Sequence, residues 1–147
     1  MNADEKMMRR CIELAKESVD AGDHPFGAVI VNDKGDVISE GRNREVTEHD
    51  LTWHAEMEAI RRATKSLRRN SLEGLTLYTN GQPCLMCSAA IRRADLARVV
   101  FGAPSQAPLR THPHPLTHPD YGDSAPPVVE GGLLAEQSRA LQKDRGE

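Results

Sequence analysis

Apolar residues recur at three- and four-residue steps through residues 4–21, where Met7, Cys11, Ile12, Leu14, Ala15 and Val19 mark one face. That period predicts an amphipathic helix, with Gly22 as its stop. "FGAVIV" (26–31) is a short unbroken apolar run with β-branched residues, the mark of a buried strand. The turn "NDKGD" leads to "VISEG" (37–41), a second strand, so the pair forms a hairpin. Residues 42–52 are polar and irregular. A helical period returns in "HAEMEAIRRATKSL" (54–67), with Ala55, Met57, Ile60 and Ala63 as its stripe and Thr52 as candidate N-cap. "LTLYT" (75–79) reads as a strand, "CLMCSAAIRRA" (84–94) as a helix with Pro83 near its first turn, and "RVVFGA" (98–103) as a strand.

This order predicts an α/β fold with a mainly buried sheet covered by helices. After 103 the composition changes. The stretch 104–127 is rich in proline and histidine without a period, and reads as a flap or loop packed over the site. "VVEGG" is expected as a last short strand and 132–144 as a closing helix. A length of 147 residues suits one domain spanning 1–147.

Charge and composition narrow the classes. The net charge of −3 gives no overall attraction to nucleic acid, and 3% aromatics leaves few side chains to stack on bases. The one basic cluster, Arg61, Arg62, Lys65, Arg68 and Arg69, reads as a solvated helix face before it reads as a phosphate patch. No apolar run is long enough for a membrane span, and "MNADEKMMRR" lacks a signal-peptide layout. Three cysteines are too few and odd in number for a disulfide framework, so a reducing, cytoplasmic setting is expected.

Two of those cysteines, Cys84 and Cys87, stand as C-x-x-C behind Pro83 at a helix start. Such a pair is either redox-active or half of a metal site. His54, also at a predicted helix start, tips the reading towards metal. One imidazole and two thiolates suit Zn²⁺ and leave a fourth tetrahedral position for water, whereas a structural site would want a fourth protein ligand. Cys11 lies on the apolar face of the first helix and reads as core. Glu56, two residues after His54, can reach a water at such a site without ligating the metal, and so is the candidate proton carrier. Glu58 is expected on another face, solvated.

The spacing H-x-E…P-C-x-x-C is the zinc deaminase signature. Together with "HPFGAVIV", "GRN" and "LYT…PCLMC…AI…RVVFGA", it makes residues 4–103 resemble the cytidine/nucleoside deaminase superfamily. The similarity is to the branch that holds guanine deaminases, fungal-type cytosine deaminases and tRNA adenosine deaminases. The resemblance implies a three-layer cytidine-deaminase-like fold, with a central mixed sheet of about five strands between helices. It also implies one zinc per chain on His54, Cys84 and Cys87, with Glu56 as proton shuttle, and a homodimer. Asn43 matches an asparagine that contacts the heterocycle in relatives, the Ala55 N–H usually helps, and Phe26 matches a pocket-lining residue. Trp53, directly before the metal histidine, is either a plug beside the helix start or a wall of the pocket.

The expected activity is hydrolytic removal of an exocyclic amine from a free nucleobase, guanine or cytosine-like, or from a related heterocycle, with release of ammonia. Nucleic acid is not the expected partner. An alternative is adenosine-to-inosine editing in tRNA; a second is an inactive, zinc-stabilised binding domain. Four departures from the branch bear on substrate. Gln82 stands where glutamate is usual, Leu51 replaces a proline, and Trp53 replaces a small residue. No acidic residue falls between Asp95 and Asp120, where His112, His114 and His118 occur instead.

Overall fold

The computed structural model describes residues 1–105, 115–119, 121 and 125–144. Helix α1 (Ala3–Ala21) starts at Asn2, whose side chain accepts the Glu5 N–H at 2.8 Å, and ends at Gly22 with φ +95°. That left-handed turn costs glycine least. Strands β1 (Gly27–Val31) and β2 (Val37–Arg42) form the hairpin, followed by α2 (Ala55–Leu67), β3 (Thr76–Gly81), α3 (Leu85–Ala94) and β4 (Arg98–Ala103). The short β5 (Val128–Glu130) and α4 (Ala135–Asp144) close the described chain. Among the described residues no helix is long and apolar enough to cross a membrane.

The sheet runs in the order β2-β1-β3-β4-β5. β1 is antiparallel to β2 and β3, while β3–β4 and β4–β5 are parallel. The expected mixed five-stranded sheet between two helical layers is therefore present. All of β1 is buried, which is why its sequence is an unbroken apolar run rather than an alternation. Its side chains still divide by parity: Ala28 and Ile30 join the core with Ala55, Ala59, Ala63, Leu77 and Ile91, while Val29 and Val31 pack with Met8, Cys11 and Leu14. Cys11 is a fully buried core residue, as its helical position suggested. Each such aliphatic burial contributes about 1.5–3 kcal/mol, so truncating Leu77 to alanine should cost about 2–5 kcal/mol.

One close approach sets the site. A Cβ on Gly41 would lie 2.3 Å from the Ala55 carbonyl oxygen and 2.7 Å from the Ala59 nitrogen. The end of β2 thus lies directly against the first turns of α2, which carries small residues, Ala55, Ala59 and Ala63, on its sheet-facing side. This contact brings residues 42–45 beside His54 and Glu58.

Three expectations need correction. Thr52 does not cap α2: its N–H and hydroxyl both donate to Asp50 Oδ1, at 2.8 and 2.6 Å, and the cap is His54. Residues 132–134 are not helical, because Gly132 and Leu134 turn with φ +91° and +52° before α4 begins. Glu58 is not solvated; it is 2% exposed, and its partners are described below. Of the proline- and histidine-rich stretch, His112 and His114 lie outside the described residues. Residues 115–118 are held against α3, where Arg92 donates to the Pro115 carbonyl at 2.9 Å and to the His118 carbonyl, and Leu116 enters the core.

Candidate active site

Two helix starts converge. His54 is the N-cap residue of α2, yet its side chain makes no capping bond. Cys84 is the N-cap residue of α3, and its sulfur accepts the Cys87 N–H at 3.5 Å. His54 Nδ1 stands 3.5 Å from Cys84 Sγ and 3.5 Å from Cys87 Sγ. The three donor atoms all lie within 4.8 Å of one another. For zinc with sulfur at about 2.3 Å and nitrogen at about 2.05 Å, a tetrahedral angle puts nitrogen and sulfur about 3.6 Å apart. The observed spacing fits that edge. A redox pair would need only the two sulfurs; the equal distance of Nδ1 from both is what chelation needs.

The electrostatics favour donors that are charged or ready to become so. A hydrogen bond from Cys87 and another from His54 pull the Cys84 thiol down to about 4. The Cys84 sulfur in turn holds His54 up to about 9. Cys87 moves the other way, pushed up by its bond to Cys84 and by burial. These shifts favour a charged Cys84 sulfur, and the positive ends of α2 and α3 both face it. A metal would replace the remaining protons, so binding would release them.

Glu56 lies in the first turn of α2 and is 5% exposed. Burial lifts its carboxyl to about 7, against the pull of its own backbone N–H and of His54. A carboxyl at about 7 exchanges protons readily in either direction near neutral pH.

Around this centre the chain is tightly bonded. Asn43, 1% exposed, donates from Nδ2 to Glu45 Oε1 at 2.7 Å and accepts the Glu45 N–H at 3.0 Å. Its carbonyl accepts the Ser18 hydroxyl at 2.9 Å, and its N–H donates to the Phe26 carbonyl at 3.0 Å. The Asn43 amide keeps a second N–H and a second lone pair beyond those bonds. Ala55 is fully buried, and its N–H, at the first turn of α2, has no acceptor within the helix. Phe26 packs its ring over Gly81, where a Cβ would come within 2.7 Å of the ring. Trp53 donates its indole N–H to Glu58 Oε2 at 2.5 Å and lies under Arg61 at 5.1 Å. Those contacts support the plug rather than the wall.

Sequence reasoning missed Asp23, Glu45 and Asn80. Asp23 is fully buried and accepts from the Val46 and Thr47 N–H groups, the Thr47 hydroxyl and Arg42, pinning the loop before α2. Asn80 accepts the Gly27 N–H at 2.9 Å and donates to the Pro25 carbonyl at 3.0 Å, fixing the backbone beside Phe26. Their signal was weak: an acid after "AG" and an asparagine at a strand end read as turn formers. Gln82 accepts the Ser105 N–H at 2.8 Å, so its side chain ties down the chain after β4.

An α/β three-layer fold with a histidine and a C-x-x-C at two helix starts, and a buried glutamate beside them, defines the class as zinc-dependent deaminase-like. Residues 1–103 match the model of the cytidine and deoxycytidylate deaminase zinc-binding region. The chain belongs to this family, and His54, Cys84 and Cys87 can form its zinc site. It is 37% identical to the tRNA-specific adenosine deaminase of Haemophilus influenzae, over 98% of this chain and 86% of that one. It is 46% identical to the guanine deaminase of Bacillus subtilis, over 67% of this chain and 64% of that one. Among solved structures, a chain from a study of A-to-I editing by tRNA:A34 deaminases superposes with TM-score 0.83 and 31% identity, covering 92% and 98% of the two chains. The guanine deaminase of Nitrosomonas europaea superposes with TM-score 0.83 and 25% identity, covering 95% and 82%.

Proposed function

We propose that this chain is a hydrolytic deaminase that removes an exocyclic amine from a free nucleobase or related heterocycle and releases ammonia. The observation that carries the chemistry is Glu56, a buried carboxyl lifted to about 7 beside a three-donor cluster. A zinc kept only for structure would have no use for it, which weighs against an inactive binding domain.

Zinc bound by His54, Cys84 and Cys87 would supply a water of lowered pKa, about 7. The chain's own residues do the rest. Glu56 takes the proton of the attacking water and gives it to the ring nitrogen next to the amine-bearing carbon. It then carries the second proton, from the hydroxyl added at that carbon, to the amine, and the C–N bond breaks to release ammonia and leave a carbonyl. Asn43, with its second N–H and lone pair, reads a ring edge. The Ala55 N–H supports the same ring, and Phe26 packs against it.

A free base is favoured over tRNA by the fate of the basic cluster. Arg61 is spent on Trp53, and Arg62 donates to the Glu40 carbonyl at 3.2 Å and pairs with Glu58 at 3.5 Å. Two of the cations that would grip a phosphate backbone are thus engaged within the fold. Editing of adenosine in tRNA is the second reading, favoured by likeness to the Haemophilus influenzae enzyme over 98% of this chain. Purified protein is assayed for ammonia release on a panel of aminated bases and for inosine in a tRNA anticodon stem-loop. Turnover of a base with little dependence on salt is expected. Inosine formation with every base inert would replace the first reading by the second, and a steep salt dependence would accompany it. Sedimentation of the same preparation tests the expected homodimer.

A further inference from the structure

The two nitrogens of His54 face different partners. Nδ1 faces the sulfurs of Cys84 and Cys87, while Nε2 stands 3.0 Å from Glu45 Oε1. A neutral imidazole can present a lone pair at Nδ1 only if its proton sits on Nε2, and a carboxylate beside Nε2 favours that tautomer. Glu45 is itself held. Asn43 Nδ2 donates to the same Oε1 at 2.7 Å, and the Glu45 N–H returns to Asn43 Oδ1 at 3.0 Å, a reciprocal pair that fixes the carboxylate. Further out, the Asp23 carboxylate anchors Val46 and Thr47, so the loop carrying Glu45 has a fixed origin.

We infer that Glu45 is a positioning residue, which orients His54 and holds the proton on Nε2 so that Nδ1 binds zinc. Asn43 then has two tasks: it faces the heterocycle and it braces Glu45. The inference rests on His54 being a zinc ligand, as in the proposed function; the identity of the substrate does not enter it.

The test is zinc retention by the intact, zinc-loaded protein against a colorimetric chelator, with Glu45→Ala, Glu45→Gln, Glu48→Ala and His54→Ala. Loss of a carboxylate behind a metal-ligating histidine typically costs about 10–100-fold in metal affinity. Glu45→Ala should therefore weaken zinc by about 10-fold or more. Glu45→Gln, which keeps an acceptor oxygen without the charge, should fall between it and the wild type. Glu48→Ala, exposed on the same loop, should match the wild type. Nitrogen-15 NMR of zinc-loaded wild type should show the His54 proton on Nε2, in a strong hydrogen bond. This readout holds even if Glu45→Ala fails to fold, and a proton absent from Nε2 would overturn the inference. Wild-type zinc retention in Glu45→Ala, with zinc lost from His54→Ala, would overturn it alone. Zinc retained in both would remove the ligand assignment as well.

Discussion

The indole N–H of Trp53 donates to the carboxylate of Glu58 at 2.5 Å, joining the residue before His54 to one a turn further along α2. Glu58 also accepts from Arg44 Nε at 2.8 Å and from the Arg42 N–H at 3.2 Å. Burial would raise its carboxyl, but the bonds from Trp53 and Arg44 win and hold it below the usual carboxylate range. One side chain thus ties β2, the following loop and α2 together.

Glu58→Ala leaves an indole N–H and a half-buried guanidinium without their partner. Breaking a buried, hydrogen-bonded charge pair costs about 3–5 kcal/mol, and the partial exposure of Arg44 brings this one below that range, to about 2–3 kcal/mol. Urea unfolding followed by the emission of Trp53, the one tryptophan in the chain, measures it. A change within about 0.5 kcal/mol, the range of ordinary surface substitutions, would mean that Glu58 holds nothing together.

Asp23 predicts a pH signature. Burial would raise its carboxyl, but hydrogen bonds from Thr47, Arg42 and Val46 hold it below its ordinary value of 3.8. A depressed carboxylate adds stability above the unfolded value and loses it as pH falls through the folded one. Asp23→Asn should therefore be less stable than wild type by about 1–3 kcal/mol at pH 6–7. The gap should narrow as pH falls below about 4, where Asp23 of the unfolded chain takes up a proton that the folded carboxylate resists. Reading the difference between the two proteins cancels the metal loss that acid causes in both. A gap that is constant from pH 7 to 3 would contradict this account.

The three donors of the candidate zinc site were legible because their chemistry is local. Proline, C-x-x-C and H-A-E are short patterns, and each sits where a helix begins. The strands themselves followed from periodicity, since β1 and β4 are apolar enough to be buried in any α/β arrangement. Glu58, Asp23 and Glu45 were not legible, because the meaning of an acid depends on what the fold sets beside it. Glu58 looks solvated until β2 closes on α2 at Gly41, and Glu45 looks like a loop residue until His54 turns Nε2 towards it. Thr52 failed as a cap for a similar reason: Asp50, two residues earlier, had already taken its hydroxyl and N–H.

Removing a donor should separate stability from fold. Cys84→Ala and His54→Ala should each lose zinc on purification. Chelation of wild type should lower its melting temperature, since a metal bound only by the folded state adds to the free energy of folding. Cys11→Ala, in the core and away from the cluster, should keep zinc while losing some packing energy. Metal content by atomic absorption distinguishes the two sets. A fully loaded Cys84→Ala protein would show that the equal 3.5 Å spacing of Nδ1 to the two sulfurs is not a zinc site.

Glu56→Gln tests the chemistry without disturbing the metal. Glutamine keeps the size and most of the polarity of the side chain, and the three donors belong to other residues, so zinc content should match wild type. A glutamine cannot accept the proton of the attacking water or deliver one to the ring nitrogen. Turnover should fall by roughly 10²–10⁴-fold, the usual loss for a general acid–base group, while binding of a substrate analogue changes little. Stability should hold or rise, because the substitution removes an acid whose ionised form is penalised by burial. Zinc content, kcat and the affinity of an inert ring analogue, measured on one preparation, divide the outcomes. Loss of zinc would place Glu56 among the ligands, and turnover within a few-fold of wild type would move the proton carrier to another group.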